Sequence, residues 1–174
     1  ASGFDDGEGE GEGEGEGEGI SLAGYSLEDD DSATHASDLP ALTLSPGETL
    51  VIARNANRAA FEAHHGSIGA ARFEDAGVTS RGVPIVNGDE RFVLVDGRGT
   101  VVDGPGFAGA GTRHCYQRTG VDGTQRSAWA EVDDDAGTPG TANPVDGRHG
   151  LTITEWCDAD GAPNLEFIEI TNLP

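Results

Sequence analysis

Cys115 and Cys157 are the only two cysteines in the chain. Two thiols cannot enclose a tetrahedral metal without histidine or carboxylate help, and no CxxC spacing sets them up for redox chemistry. A disulfide between Cys115 and Cys157 is therefore the expectation, and it implies an oxidising, extracellular compartment. Carboxylates supply the other candidate chemistry. Over residues 7–19, Glu8, Glu10, Glu12, Glu14, Glu16 and Glu18 alternate with glycine. In water such a run is a flexible, self-repelling linker. Drawn out as a strand, it would set all six glutamates on one face, where they could collect a divalent cation such as Ca2+. Asp158-Ala-Asp-Gly161 has the spacing of a partial calcium loop. Without a distal bidentate glutamate the loop reads as a turn, and Asp158 and Asp160 join the arm as candidate cation ligands. No other cofactor is expected.

The remaining polar clusters read as structure. His64-His65 closes a short helix, where a cation complements the helix dipole. Glu28-Asp-Asp-Asp31 and Asp133-Asp-Asp135 read as solvated surface, and Trp129 and Trp156 as core. His114 beside Cys115 has no nucleophile motif around it, and no phosphate-binding loop or paired carboxylates stand out. We expect no enzymatic activity.

Charge narrows the partners. The 174 residues carry 32 acidic and 10 basic side chains, a net charge of −22, and every basic residue is arginine. This excludes nucleic acid and anionic membrane, both polyanions, as natural partners. The absence of lysine fits adaptation to high salt, where a Debye length of about 3 Å at 1 M removes most self-repulsion. A halophilic archaeon is the expected source. No apolar run reaches membrane-spanning length and no signal peptide is visible; a start at Ala1 without Met fits a processed mature protein or a trimmed chain.

The elements that must position these residues are mostly strands. Ile20–Leu27, Thr49–Arg54, Val83–Val86, Arg91–Asp96, Thr100–Asp103 and Arg113–Arg118 carry strand patterns, with a hairpin signal at Gly97-Arg-Gly99. One helix is expected from Arg58 to His65, capped by Asn57 and stopped by Gly66. At the C-terminus, Leu151-Thr-Ile-Thr-Glu-Trp156 alternates as a half-buried strand should, and Leu165-Glu-Phe-Ile-Glu-Ile-Thr171 forms a second. Short strands with Gly/Pro/Asp turns and one short helix indicate an all-β, antiparallel sandwich. The organisation is an arm (1–19), a body (20–144), a linker (145–150) and a C-terminal strand pair (151–174).

These stretches resemble the lamin-tail domain family, an immunoglobulin-like β-sandwich. The resemblance rests on Leu151-Thr-Ile-Thr-Glu155, Glu166-Phe-Ile-Glu-Ile170, Ile20-Ser-Leu-Ala-Gly-Tyr25-Ser-Leu-Glu-Asp29 and Ser45-Pro-Gly-Glu-Thr-Leu-Val-Ile-Ala-Arg54. It continues through Asn87-Gly-Asp-Glu-Arg-Phe-Val-Leu94, Gly99-Thr-Val-Val-Asp103, Ser127-Ala-Trp129 and Gly137-Thr-Pro-Gly-Thr-Ala-Asn-Pro144. In that family the two strands found here at the end come first. The chain thus looks circularly permuted or strand-swapped. The resemblance implies a secreted module in which Leu151, Ile153, Trp156, Phe167, Ile168 and Ile170 complete a sandwich beside Ile20 and Leu22. We expect donation to the next copy, giving a head-to-tail extracellular filament whose partners are copies of itself. The alternatives are a monomeric permuted surface adhesion or binding module, and an accessory domain of a secreted hydrolase or nuclease.

Overall fold

A computed structural model describes residues 17–30, 32–54, 56–76, 86, 90–109, 113–141, 143, 145–159 and 165–174. Its strands are β1 (Ile20–Ser21), β2 (Ser26–Asp29), β3 (Ser32–Asp38), β4 (Thr43–Leu44), β5 (Thr49–Ala53), β6 (Arg72–Asp75) and β7 (Phe92–Val95). They continue with β8 (Val101–Asp103), β9 (His114–Arg118), β10 (Trp129–Asp133), β11 (Gly150–Asp158) and β12 (Phe167–Leu173); the helix α1 is Arg58–His65. Two sheets face each other. One runs β10-β9-β11-β12-β5-β6, the other β3-β2-β7-β8, and β1 and β4 form a small separate ribbon. The all-β sandwich with one short helix is therefore the architecture.

The single chain completes its own sandwich. β12 pairs with β5 from Phe167↔Ala53 to Thr171↔Thr49, and β11 pairs with β9 from Glu155↔Gln117 to Asp158↔His114. In the single chain these strands pair with the chain's own β5 and β9. The linker makes the return possible: Arg148 N–H donates to the Val145 carbonyl, and Gly147 and Gly150 both take φ of 78°. The two ends of the body consequently meet. Gly150 pairs with Leu173, a Cβ placed on Gly150 would stand 4.0 Å from Ile20 Cδ1, and His149 Nδ1 bonds the Pro174 carbonyl.

Side-chain chemistry explains the layers. Leu27, Phe92 and Leu94 from the smaller sheet meet Leu50, Ile52, Tyr116, Leu151, Ile153, Trp156, Ile168 and Ile170 from the larger one. A second apolar cluster lies on the far side of the larger sheet, where Val51, Ala53, Cys157 and Phe167 meet Phe61 of α1 and Ile68. The helix forms as its sequence signals: Asn57 Oδ1 accepts from Ala60 N–H at 3.0 Å, and Gly66 N–H donates to the Glu62 carbonyl.

Several expectations need correction. Ile20–Leu27 is two strands broken by a turn with Gly24 at φ 84°. β3, β6 and β10 were not foreseen as strands. The sandwich is antiparallel except at β5 and β6, which run parallel because α1 carries the chain over between them. Val83–Val86 lies, apart from Val86, outside the described residues.

Candidate functional site

The residues expected to drive assembly come together at the centre of the larger sheet. Leu151, Ile153, Trp156, Ile168 and Ile170 project into the main core, while Phe167 projects to the other side against Phe61 and His65. Trp156 sits among Tyr116, Phe92 and Phe107, with the Tyr116 ring 4.2 Å away. Leu22 is fully buried, and Ile20 packs half-buried at the core edge. Strand periodicity did not reveal that the hairpin is buried on both faces. Thr152, Thr154, Glu155, Glu169 and Thr171 are 0% exposed, although their alternation with apolar residues reads as a solvent face.

Cys115 and Cys157 stand opposite each other on β9 and β11 and form an intramolecular disulfide, with an S–S distance of 2.03 Å. The bond fastens the hairpin to the body. Loop closure over a sequence separation of 42 contributes about 4 kcal/mol in the chain-entropy model.

Paired carboxylates, which the sequence did not display, lie on the same outer face. Glu155 and Glu169 are cross-strand partners on β11 and β12. A strap made of residues 137–141 and Asn143 covers them. Thr138 donates to Glu155 through its backbone N–H at 2.9 Å and its hydroxyl at 3.0 Å, and Asn143 Nδ2 donates at 3.3 Å. Gly140 N–H donates to Glu169 at 2.7 Å, and the Thr154 hydroxyl donates at 2.6 Å. Hydroxyl contacts of 3.0 Å continue from Thr154 to Thr171 and on to Thr49. Burial pushes the Glu169 carboxyl up to about 8, against the pull of Thr154 and Gly140, with the charge of Glu155 adding to the rise. Burial likewise raises Glu155, partly offset by the donors from Thr138, Asn143 and Gln117.

The strap needs its glycines. A Cβ on Gly137 would stand 2.8 Å from Cys115 Sγ and 3.1 Å from Glu155 Oε1. Gly140 has φ 81°, and a Cβ there would meet the Ile68 carbonyl at 2.5 Å. The Gly-Thr-Pro-Gly sequence is thus shaped to press its amides onto two buried acids.

A second buried polar cluster joins the two sheets. Arg118 of β9 binds Asp103 of β8 through both terminal nitrogens, at 3.2 and 3.4 Å, and donates to the Gly120, Val121 and Ile153 carbonyls. Arg148 and Ile153 N–H complete Asp103 at 3.0 and 2.9 Å. Removing one member of such a buried cluster would leave the remaining charges uncompensated, which is strongly destabilising.

The cation candidates fare differently. Glu18 is exposed at the body's entrance, whereas Glu8, Glu10, Glu12, Glu14, Glu16 and Asp160 lie outside the described residues. Asp158 is buried at the end of β11 rather than open in a loop. Among the described residues no three His, Cys, Asp or Glu side chains gather as a metal site, and no helix is long and apolar enough to cross a membrane. His65 is an aromatic packing residue. Burial lowers its pKa, its Nε2 bonds the Leu165 carbonyl, and its ring contacts Phe61, His64 and Phe167, so the cationic role expected at the helix end does not hold for it. No protein-family model, curated protein or solved structure matches the chain.

Proposed function

We propose that this chain is a non-enzymatic structural or adhesive module of the extracellular surface, a lamin-tail-like sandwich with its first two strands moved to the C-terminus and completed in cis. The observation that carries this reading is the hairpin's position. It supplies the two central strands of the larger sheet and is disulfide-bonded to β9 of the same chain. The nearness of Ile20 to Gly150, which itself pairs with Leu173, supports the permuted order, since a family-type chain would need only a short path from β12 into β1. The disulfide supports an oxidising compartment. The net charge of −22 with no lysine supports a high-salt habitat, as in a halophilic archaeon.

A second reading is the head-to-tail filament of strand-donating copies. One observation favours it: the hairpin's partners β5 and β9 precede the linker, so a neighbour's β5 and β9 would offer the same ladders. Sedimentation at molar salt and non-reducing gels of boiled protein separate the two. The cis reading expects a monomer and a single monomeric band with or without reductant. A ladder that collapses with reductant would overturn it in favour of donation. Deleting residues 151–174 should abolish folding under either reading, and an added 151–174 peptide should restore it. A stable truncated body would sink both.

A further inference from the structure

Glu155 and Glu169 are held in an arrangement that neutral pH should not leave doubly charged. Both are fully buried and face each other across the β11–β12 ladder. Four of the hydrogen bonds they accept come from the strap, from Thr138 N–H, Thr138 Oγ1, Gly140 N–H and Asn143 Nδ2, and Thr154 Oγ1 and Gln117 also donate. Among the described residues no basic side chain bonds either acid. β9 presents Gln117 and the disulfide, and β5 presents Thr49 and Val51. The charged or titratable side chains on the elements alongside are Arg58 and Glu62 of α1, which pair with each other, His64 and His65 of α1, His114 and Arg118 of β9, and Asp134 and Asp135, which lead into the strap. None of these bonds Glu155 or Glu169.

We propose that Glu155 and Glu169 share one proton beneath the strap amides and side chains of Thr138, Gly140 and Asn143 and together form a pH latch, so that losing this proton lifts the strap from the hairpin. With one proton, the pair carries a single negative charge that the strap amides and hydroxyls satisfy. Without it, two adjacent buried carboxylates repel each other with no basic side chain bonded to either among the described residues, and water must enter. The strands cannot yield, because β11 and β12 are laddered on both sides and β11 is disulfide-bonded. The strap makes only its own few bonds, so it opens. Release is therefore local: the sandwich stays closed while Thr138 and Gly140 become solvated.

The sign follows from linkage. Burial raises the folded pair above the ordinary carboxylate value of about 4.3, and Glu169 reaches about 8. Folding therefore takes up a proton between those limits. The added stability is fully present below about pH 4 and lost as pH rises through about 8. The unfolding constant should rise about tenfold per pH unit across this window.

Amide hydrogen exchange of Thr138 and Gly140, corrected for intrinsic rate, tests the latch in the oxidised full-length chain at about pH 6 and about pH 9. The expected result is at least a tenfold loss of protection at the higher pH, with amides of β5 and β12 staying far better protected than the strap at both values. Glu169→Gln removes the shared proton's site while keeping an acceptor for Gly140 N–H, and should keep the strap protected at both values. If that variant does not fold, the glutamate carboxyl 13C shifts of the wild-type protein decide. One should titrate near pH 8, and titration of every glutamate below pH 6 would overturn the proposal. Equal pH dependence in wild type and Glu169→Gln would also overturn it. So would restoration of protection at pH 9 by calcium or potassium at constant ionic strength, which would mark a cation site instead.

Discussion

The two faces of the C-terminal hairpin are equally buried and held by different physics. Leu151, Ile153, Trp156, Ile168 and Ile170 face the sandwich core, where apolar burial depends little on pH or redox state. The opposite face carries Thr154, Glu155, Cys157, Glu169 and Thr171. There, stability rests on hydrogen bonds, one disulfide and a protonation state, and each of these answers to the medium. Burial alone therefore does not say what holds a strand. One face makes the hairpin part of the fold, and the other makes its attachment conditional.

The largest expected effect comes from breaking the apolar face. Trp156→Ala removes a ring that meets Tyr116, Phe92 and Phe107, and should cost about 3–5 kcal/mol. Denaturant unfolding at about pH 6 and about pH 9 should give the same loss. A loss that varied strongly with pH would blur the contrast between the faces. Removing the disulfide by Cys115→Ser with Cys157→Ser should cost about 2–4 kcal/mol, read as a lower denaturant midpoint. Reduction of the wild-type protein should reproduce that shift. Gly140→Ala comes last, at about 1–3 kcal/mol, because its φ of 81° and the Ile68 carbonyl leave no room for a methyl group. Its mark should be a local gain in strap exchange that exceeds any change in β5; uniform loss of protection would show that the strap is not a separate unit.

Where a single element's sequence contained its own cause, the element was legible. Asn57 and Gly66 bound α1 because both caps are local chemistry. Thr49–Ala53, Phe92–Val95 and Val101–Asp103 announce themselves by β-branched and apolar runs. The disulfide followed from having two cysteines and no metal context. β3 was hidden because Ser32–Asp38 is a polar run with no apolar alternation, and β6 because Arg72–Asp75 is a charged edge strand. The carboxylate pair was hidden for a different reason. Period-two alternation gives the side of a strand, but not what covers that side. Here the cover comes from α1 and the strap, which lie elsewhere in the sequence. Asp103 and Arg118 escaped notice likewise, since their meeting depends on how two sheets stack.

The Cys115–Cys157 bond has one more consequence, for the protein's survival among proteases. The covalent loop it closes contains β10, the strap and the linker, including exposed Asp146, Gly147 and His149. A cut anywhere in that loop would produce two fragments that remain one molecule. The hairpin would stay seated between β9 and β5, and the nick would be visible only after reduction. A chain built this way can lose its most accessible backbone without losing its centre.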